Sequence, residues 1–287
     1  MSLDSLYALL YDGFVLGGKI ALAAIPYLLV YKYLMMLNFA FGEVMTFGAY
    51  ASYLLLEKAS WPIVPVIVAT VLLTALLGVV IELVAYRPVI DADDRHLPLV
   101  TSVGVSIVLQ NLYQALFGSR VIYADRLNLS PFWLFASLGG ALVVVLGILT
   151  LTPLGQQIAA VASNRRLSMV MGIRPGLVYS SVFALASGIA ALAGMFEMAD
   201  NGIAPTMGFQ LGLLAFAAAV LARLKSLPAA IAWAFVIGIA IQFAQARTVL
   251  NDQILWVILV LAALLSAARS RLRARKRRVL AGEDRGR

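Results

Sequence analysis

Long apolar stretches separated by short connections constrain this chain more than any other feature. They lie at approximately 13–36, 38–56, 62–84, 98–117, 132–151, 176–198, 209–222, 228–245 and 252–268. About 20 apolar residues suffice to cross a bilayer as a helix, so the chain reads as eight or nine hydrophobic segments with no room for a separate soluble domain. Backbone groups in lipid must be satisfied within the segment or in a closed barrel. No strand-length alternation of apolar and polar residues repeats here, as a barrel would require. The expected fold is therefore an all-α, polytopic membrane helix bundle of residues 1–268, followed by a basic tail at 269–287. Composition agrees, with 62% hydrophobic and 13% charged residues, against the 45–50% apolar usage typical of soluble domains.

Net charge places the bundle. The formal charge is +8, and residues 268–287 hold nine Lys/Arg against Glu283 and Asp284, leaving +1 for everything else. Basicity confined to a tail beside a membrane span is a positive-inside anchor attracted to anionic membrane lipid, and not a nucleic-acid surface. The Arg87–His96 loop, the loop with Arg165, Arg166 and Arg174, the Arg223/Lys225 loop and the tail alternate in parity, so all four fall on one side, expected to be cytoplasmic. The opposite loops hold Arg120 and Arg126 against that rule, with Asp125 beside them. Nine full crossings put the amino terminus outside; a re-entrant 38–56 or 209–222 reverses it.

Several chemistries are excluded. There is no cysteine and a single histidine, His96, so thiolate chemistry, His/Cys metal sites and a serine triad in the membrane have no residues to draw on. Asp91, Asp93, Asp94, Arg95 and His96 read as a solvated loop. Gly13–Ile20 fits the start of a phosphate loop but ends in Ile20, where magnesium binding needs Ser or Thr. No metal, cofactor or catalytic site is expected, and Lys19 reaches toward the interface or lines the bundle.

What remains is a sparse set of polar groups at membrane depth, where charge is costly and usually faces the bundle interior or a water-filled path. The set is Asn38, Glu43 and Thr46; Glu82; Thr101, Ser102, Ser106, Gln110 and Asn111; Glu197, Asp200 and Asn201; Gln242 and Gln245. Glu82 is placed to pair with Arg87. Ser102, Ser106 and Gln110 recur along one helical stripe with Asn111 at its edge; the stripe either lines a pore or bonds to a neighbouring helix. Glu43 stands near an expected break at Asn38–Gly42, either supporting that break or touching a substrate. Small residues at every fourth position, Ala186, Ala190 and Gly194 or Gly208 and Gly212, allow close helix packing within the chain or a dimer interface. Residues 154–174 form a more polar, helical segment that lies on the membrane surface or docks in a partner's groove.

Five runs together carry a family resemblance: NFAFGEVMTFGAYAS (38–52), ELVAYRP (82–88), TSVGVSIVLQN (101–111), ASNRRLSMVMGI (162–173) and the region from Ala193 through MGFQLG to Gly212. In order and spacing the chain resembles the permease subunits of ABC importers for branched-chain amino acids and related amides. The resemblance implies an inner-membrane pathway shared with a second homologous permease subunit, an extracytoplasmic substrate-binding protein and two cytoplasmic ATPase subunits. It also implies that Asn164, Arg165, Arg166, Met169 and Gly172 belong to a coupling helix that fits the ATPase. Two departures stand out. Phe41 replaces a common histidine, and Ala222–Ala230 lacks the glycines that relatives carry. Two other readings are an ion-coupled secondary transporter using Glu43, Lys19 or Lys32, for which no convincing internal repeat is seen, and a membrane scaffold acting through its tail.

Overall fold

A computed structural model describes residues 3–90, 97–124 and 129–247. The Asp91–His96 loop, Asp125 and Arg126, the expected last span at 252–268 and the basic tail lie outside the described residues. The architecture is an all-α bundle, as the apolar pattern dictates. Its helices are α1 (Leu3–Leu34), α2 (Phe41–Tyr53), α3 (Ile63–Ile81), α4 (Arg87–Ile90), α5 (Leu97–Phe117), α6 (Pro131–Leu151), α7 (Pro153–Ser163), α8 (Arg165–Val170), α9 (Pro175–Asn201), α10 (Met207–Leu221) and α11 (Leu227–Arg247). Six helices among the described residues are long and apolar enough to cross a membrane, and α10 is a shorter apolar helix. Widened helical turns at Leu54–Lys58 and Glu82–Tyr86 prolong α2 and join α3 to α4.

The core is built around α1 and α9, the most buried of the crossing helices. Hydrophobicity cannot drive helices together in lipid, so close backbone approach must do it. The expected small-residue pattern on α9 serves this purpose within the chain: Ala186 and Ala190 are fully buried, and a side chain at Gly194 would strike the Met45 carbonyl of α2. On α1, a Cβ at Gly17 would come within 2.8 Å of the Phe235 Cα in α11. By contrast α3, α5 and α6 turn most of their apolar surface outward, which suits lipid or a partner helix.

Basic residues gather at one end. Arg87 donates to the Gly176 carbonyl at 3.0 Å, the Arg165 guanidinium lies over the Tyr179 ring, and Lys32 and Lys225 border one crevice. At the other end Ile122 and Ile203 exchange backbone hydrogen bonds, tying the α5–α6 and α9–α10 connections together. Trp61, Tyr123 and Trp133 are exposed there, in keeping with the aromatic enrichment of membrane interfaces. Since α1 brings Lys32 to the basic end, its amino-terminal half lies at the opposite end.

Both segments that sequence left open begin inside the bundle. Beyond Leu34 the chain doubles back through Met35, whose φ is +57°, and α2 starts at Phe41, its ring 5.6 Å from that of Tyr27, two turns before the end of α1. The start of α10 meets the same place: a Cβ at Gly212 would lie 2.7 Å from the Tyr27 hydroxyl. From this shared depth α2 runs toward the aromatic end and α10 toward Arg223 and Lys225. The 15 residues of α10 extend about 22 Å at 1.5 Å per residue, less than the ~30 Å hydrocarbon core. The chain leading into each helix is partly buried, at Asn38 and Ala40 before α2 and at Ile203 before α10, a setting in which non-helical backbone is tolerated at membrane depth.

Candidate functional site

The starts of α2 and α10 touch directly. A Cβ added to Gly42 would lie 2.5 Å from the Gly208 carbonyl oxygen, and one added to Gly208 would strike the Gly42 carbonyl and the Thr46 hydroxyl. Only glycine permits that approach. Thr46 fastens the crossing. It accepts a hydrogen bond from the Gly208 N–H at 3.1 Å and donates to the Gly42 carbonyl at 3.3 Å. The first N–H groups of a helix have no partner within it, so a residue of α2 caps α10 across the bundle. Asn38 organises the entry to α2: its buried Oδ1 accepts the Ala40 N–H at 2.8 Å, holding the turn where sequence placed a break. Beside the crossing Thr206, Phe209 and Gln210 are exposed.

Glu43 follows Gly42 and is fully buried. Ser106 of α5 donates to Oε1 at 3.4 Å, and the Tyr113 hydroxyl donates to the Glu43 backbone carbonyl at 3.0 Å. The other carboxyl oxygen, Oε2, has no hydrogen-bond partner among the described residues. The carboxylate thus joins the Tyr113 hydrogen bond and the packing of Tyr50 on Tyr113 and Phe117 in seating α5 on α2. Phe41 is also fully buried and packs against Tyr27 and Phe183. Glu43 therefore takes its polar contacts from α5.

The α5 stripe is only partly assembled as its spacing implies. Ser102 and Ser106 share the buried face, which continues through Leu109 to Tyr113; Ser102 donates to the Leu99 carbonyl at 2.6 Å. Gln110 is half-buried, while Asn111 is exposed and donates to the Ile107 carbonyl at 2.7 Å. Tyr113 stands seven residues from Ser106, two helical turns along the same face, a spacing readable in sequence although aromatic residues were not in the polar set.

Three ion pairs among the described residues, two of them sharing Lys19, brace the remaining helices. Glu82, buried by the widened turn, receives Arg87 through two hydrogen bonds at 3.1 and 3.0 Å and the Ser180 hydroxyl at 2.7 Å. This is the pairing expected from sequence, extended to α9. Lys19 does not snorkel: its side chain is 5% exposed and lies 2.9 Å from Glu197 and 3.0 Å from Asp200, themselves 15% and 46% exposed. Asn201 donates to Glu197 at 2.6 Å. Sequence grouped Glu197, Asp200 and Asn201, read Lys19 apart from them, and gave no reason to join α1 to the end of α9. Among the described residues no group of three or more His, Cys, Asp or Glu side chains is placed to hold a metal.

The segment at 154–174 is two helices at the basic end. Thr152 caps α7, accepting the Gly155 N–H at 3.3 Å, and Asn164 caps α8, accepting the Leu167 N–H at 3.0 Å. Gly172, at φ +82°, ends the unit before Pro175 opens α9. On α8 and its exit Leu167, Met169, Val170 and Met171 are exposed, beside exposed Arg166 and half-buried Arg165.

Comparison with known proteins places this geometry. Residues 9–268 match the family model described as the permease component of the branched-chain amino acid transport system. The high-affinity branched-chain amino acid transport system permease protein LivH of Salmonella typhimurium is 30% identical over 292 residues, covering 91% of this chain and 94% of its own. LivH of Escherichia coli K12 is 30% identical over 293 residues with the same coverage. BraD of Pseudomonas aeruginosa is 29% identical over 260 residues, 82% of this chain and 84% of its own. A multi-pass helix bundle of this kind, matched over nearly its whole length, belongs to the branched-chain amino acid transport permease family.

Proposed function

We propose that the chain is the pathway-forming subunit of an ATP-driven importer in the bacterial inner membrane, carrying a branched-chain or similarly small amino acid or amide. A second homologous permease completes the pathway, an extracytoplasmic binding protein delivers substrate, and cytoplasmic ATPases supply the energy. The single observation that carries this reading is the exposed, capped α8 at the basic end, an apolar knob flanked by arginines on a chain whose family is a transport permease. Such a knob suits a groove in a cytoplasmic partner. Its displacement reaches the interior through α9, which packs on α2 and α3 and, at its far end, holds Lys19 of α1. The α2–α10 crossing is then the element whose opening exchanges access between the two sides. Glu43 and Asn38 support that crossing, as Ser102 and Ser106 support α5. Gln110 and Asn111 lie on the side of α5 left for the pathway or the second permease.

The test is co-purification. Met169→Asp and Val170→Asp change exposed side chains and leave folded yield intact; they are expected to release an ATPase that the unaltered chain retains. An ATPase held equally well by both variants contradicts the docking role of α8.

A further inference from the structure

A crevice between α1, α6 and α11 opens at the basic end of the bundle, with a volume of about 590 Å³. Leu28, Leu142, Leu146 and Ile231 line its interior, and Lys32 and Lys225 stand at its mouth. Toward the other end the same three helices close together, with the Phe14 ring 5.0 Å from Phe135 and 4.7 Å from Phe235. The result is a partly open, largely apolar crevice with two lysines at its basic end.

We infer that this crevice binds an anionic phospholipid, its acyl chain in the slot and its phosphate between Lys32 and Lys225. No acidic side chain among the described residues forms an ion pair with either lysine, and the Lys32 ammonium rests 5.2 Å from the Tyr33 ring centre. Basic pockets between membrane helices on this side recruit anionic headgroups, and the lysine stems add apolar cover to an acyl chain. The basic tail is a poor occupant: it carries nine Lys/Arg and is repelled by the two lysines. The turn that delivers Lys225 passes through left-handed backbone at Arg223, φ +59°, and Leu224, φ +56°.

The experiment uses the full chain in its co-purified assembly, in phosphatidylcholine nanodiscs with phosphatidylglycerol carrying a photoactivatable group on its acyl chain. Labelled peptides are expected at 142–149 and 227–231. Lys32→Gln with Lys225→Gln is expected to weaken labelling about thirty-fold, the effect of two lysines near an anionic surface. The paired arginine variant keeps the label, and Leu146→Trp, which fills the slot, blocks it. Equal labelling by a phosphatidylcholine analogue overturns the inference, as does label unchanged in the glutamine variant or competition by inorganic phosphate as effective as by lipid. The absence of native cysteine permits one further check. A disulfide between Leu146→Cys and a cysteine placed within 252–268 would show the crevice filled by the chain itself, and would also overturn it.

Discussion

The Thr46 hydroxyl lies 3.1 Å from the Gly208 backbone nitrogen, so the first turn of one interior helix is capped by a side chain from the other. Removing the hydroxyl orphans a buried N–H, at about 1–3 kcal/mol. Thr46→Val, nearly the same shape, should lower transport roughly five-fold or more while assembly persists, and Thr46→Ser should restore it. Uptake measured at matched permease levels decides; equal uptake by Val and Ser variants would remove Thr46 from the account.

Gly208→Ala tests the same contact by volume. Its methyl group would meet the Gly42 carbonyl, separating α2 from α10. Overpacking of this kind costs typically 1–3 kcal/mol, so thermal stability in detergent should fall even though alanine is the better helix former.

Glu43 offers a separation of roles. Glu43→Gln keeps the length and an oxygen to accept from Ser106, and should retain much of assembly and transport. Glu43→Leu leaves the buried Ser106 hydroxyl without its interhelical partner and should lower folded yield. Loss of transport in both variants with normal assembly would instead give the carboxylate a direct part in the pathway.

Lys19 is the hub of a largely buried charge cluster. Lys19→Met leaves Glu197 uncompensated and should destabilise the bundle by about 3–5 kcal/mol, whereas the Lys19→Met, Glu197→Met pair should recover most of that loss. Unfolding midpoints of the three forms test this, and a double variant no better than the single would contradict it.

Asn164 sets the pose of α8. Asn164→Ala removes the cap on Leu167, worth about 1 kcal/mol, and should reduce transport-coupled ATP hydrolysis with little effect on insertion. Asn164→Ser keeps a capping oxygen and should behave like the unaltered chain.

Membrane helices were legible in sequence because lipid imposes a length and a composition, and the basic end because Lys and Arg mark it. The interior start of α2 was readable from Asn38 and the glycine that follows. Distance along the chain hid the rest. Nothing in a sequence of apolar spans says that Gly42 meets Gly208, or that Lys19 faces Glu197, because lipid-embedded helices carry little amphipathic signal about which neighbour each face meets. Asn111 shows the opposite failure. Spacing set it at the edge of the Ser106 stripe, yet the five-residue step from Ser106 turns about 140° around the helix and carries it to the exposed side.

In the proposed importer this chain moves substrate only as part of an ATP-driven assembly. Reconstitution in liposomes with the second permease, the ATPases and the binding protein tests it most directly, with uptake of a radiolabelled branched-chain amino acid as the readout. Uptake should require ATP and every partner, and should fail when Met169 and Val170 are replaced by Asp. Uptake by this chain alone, driven by an ion gradient without ATP, would contradict the account.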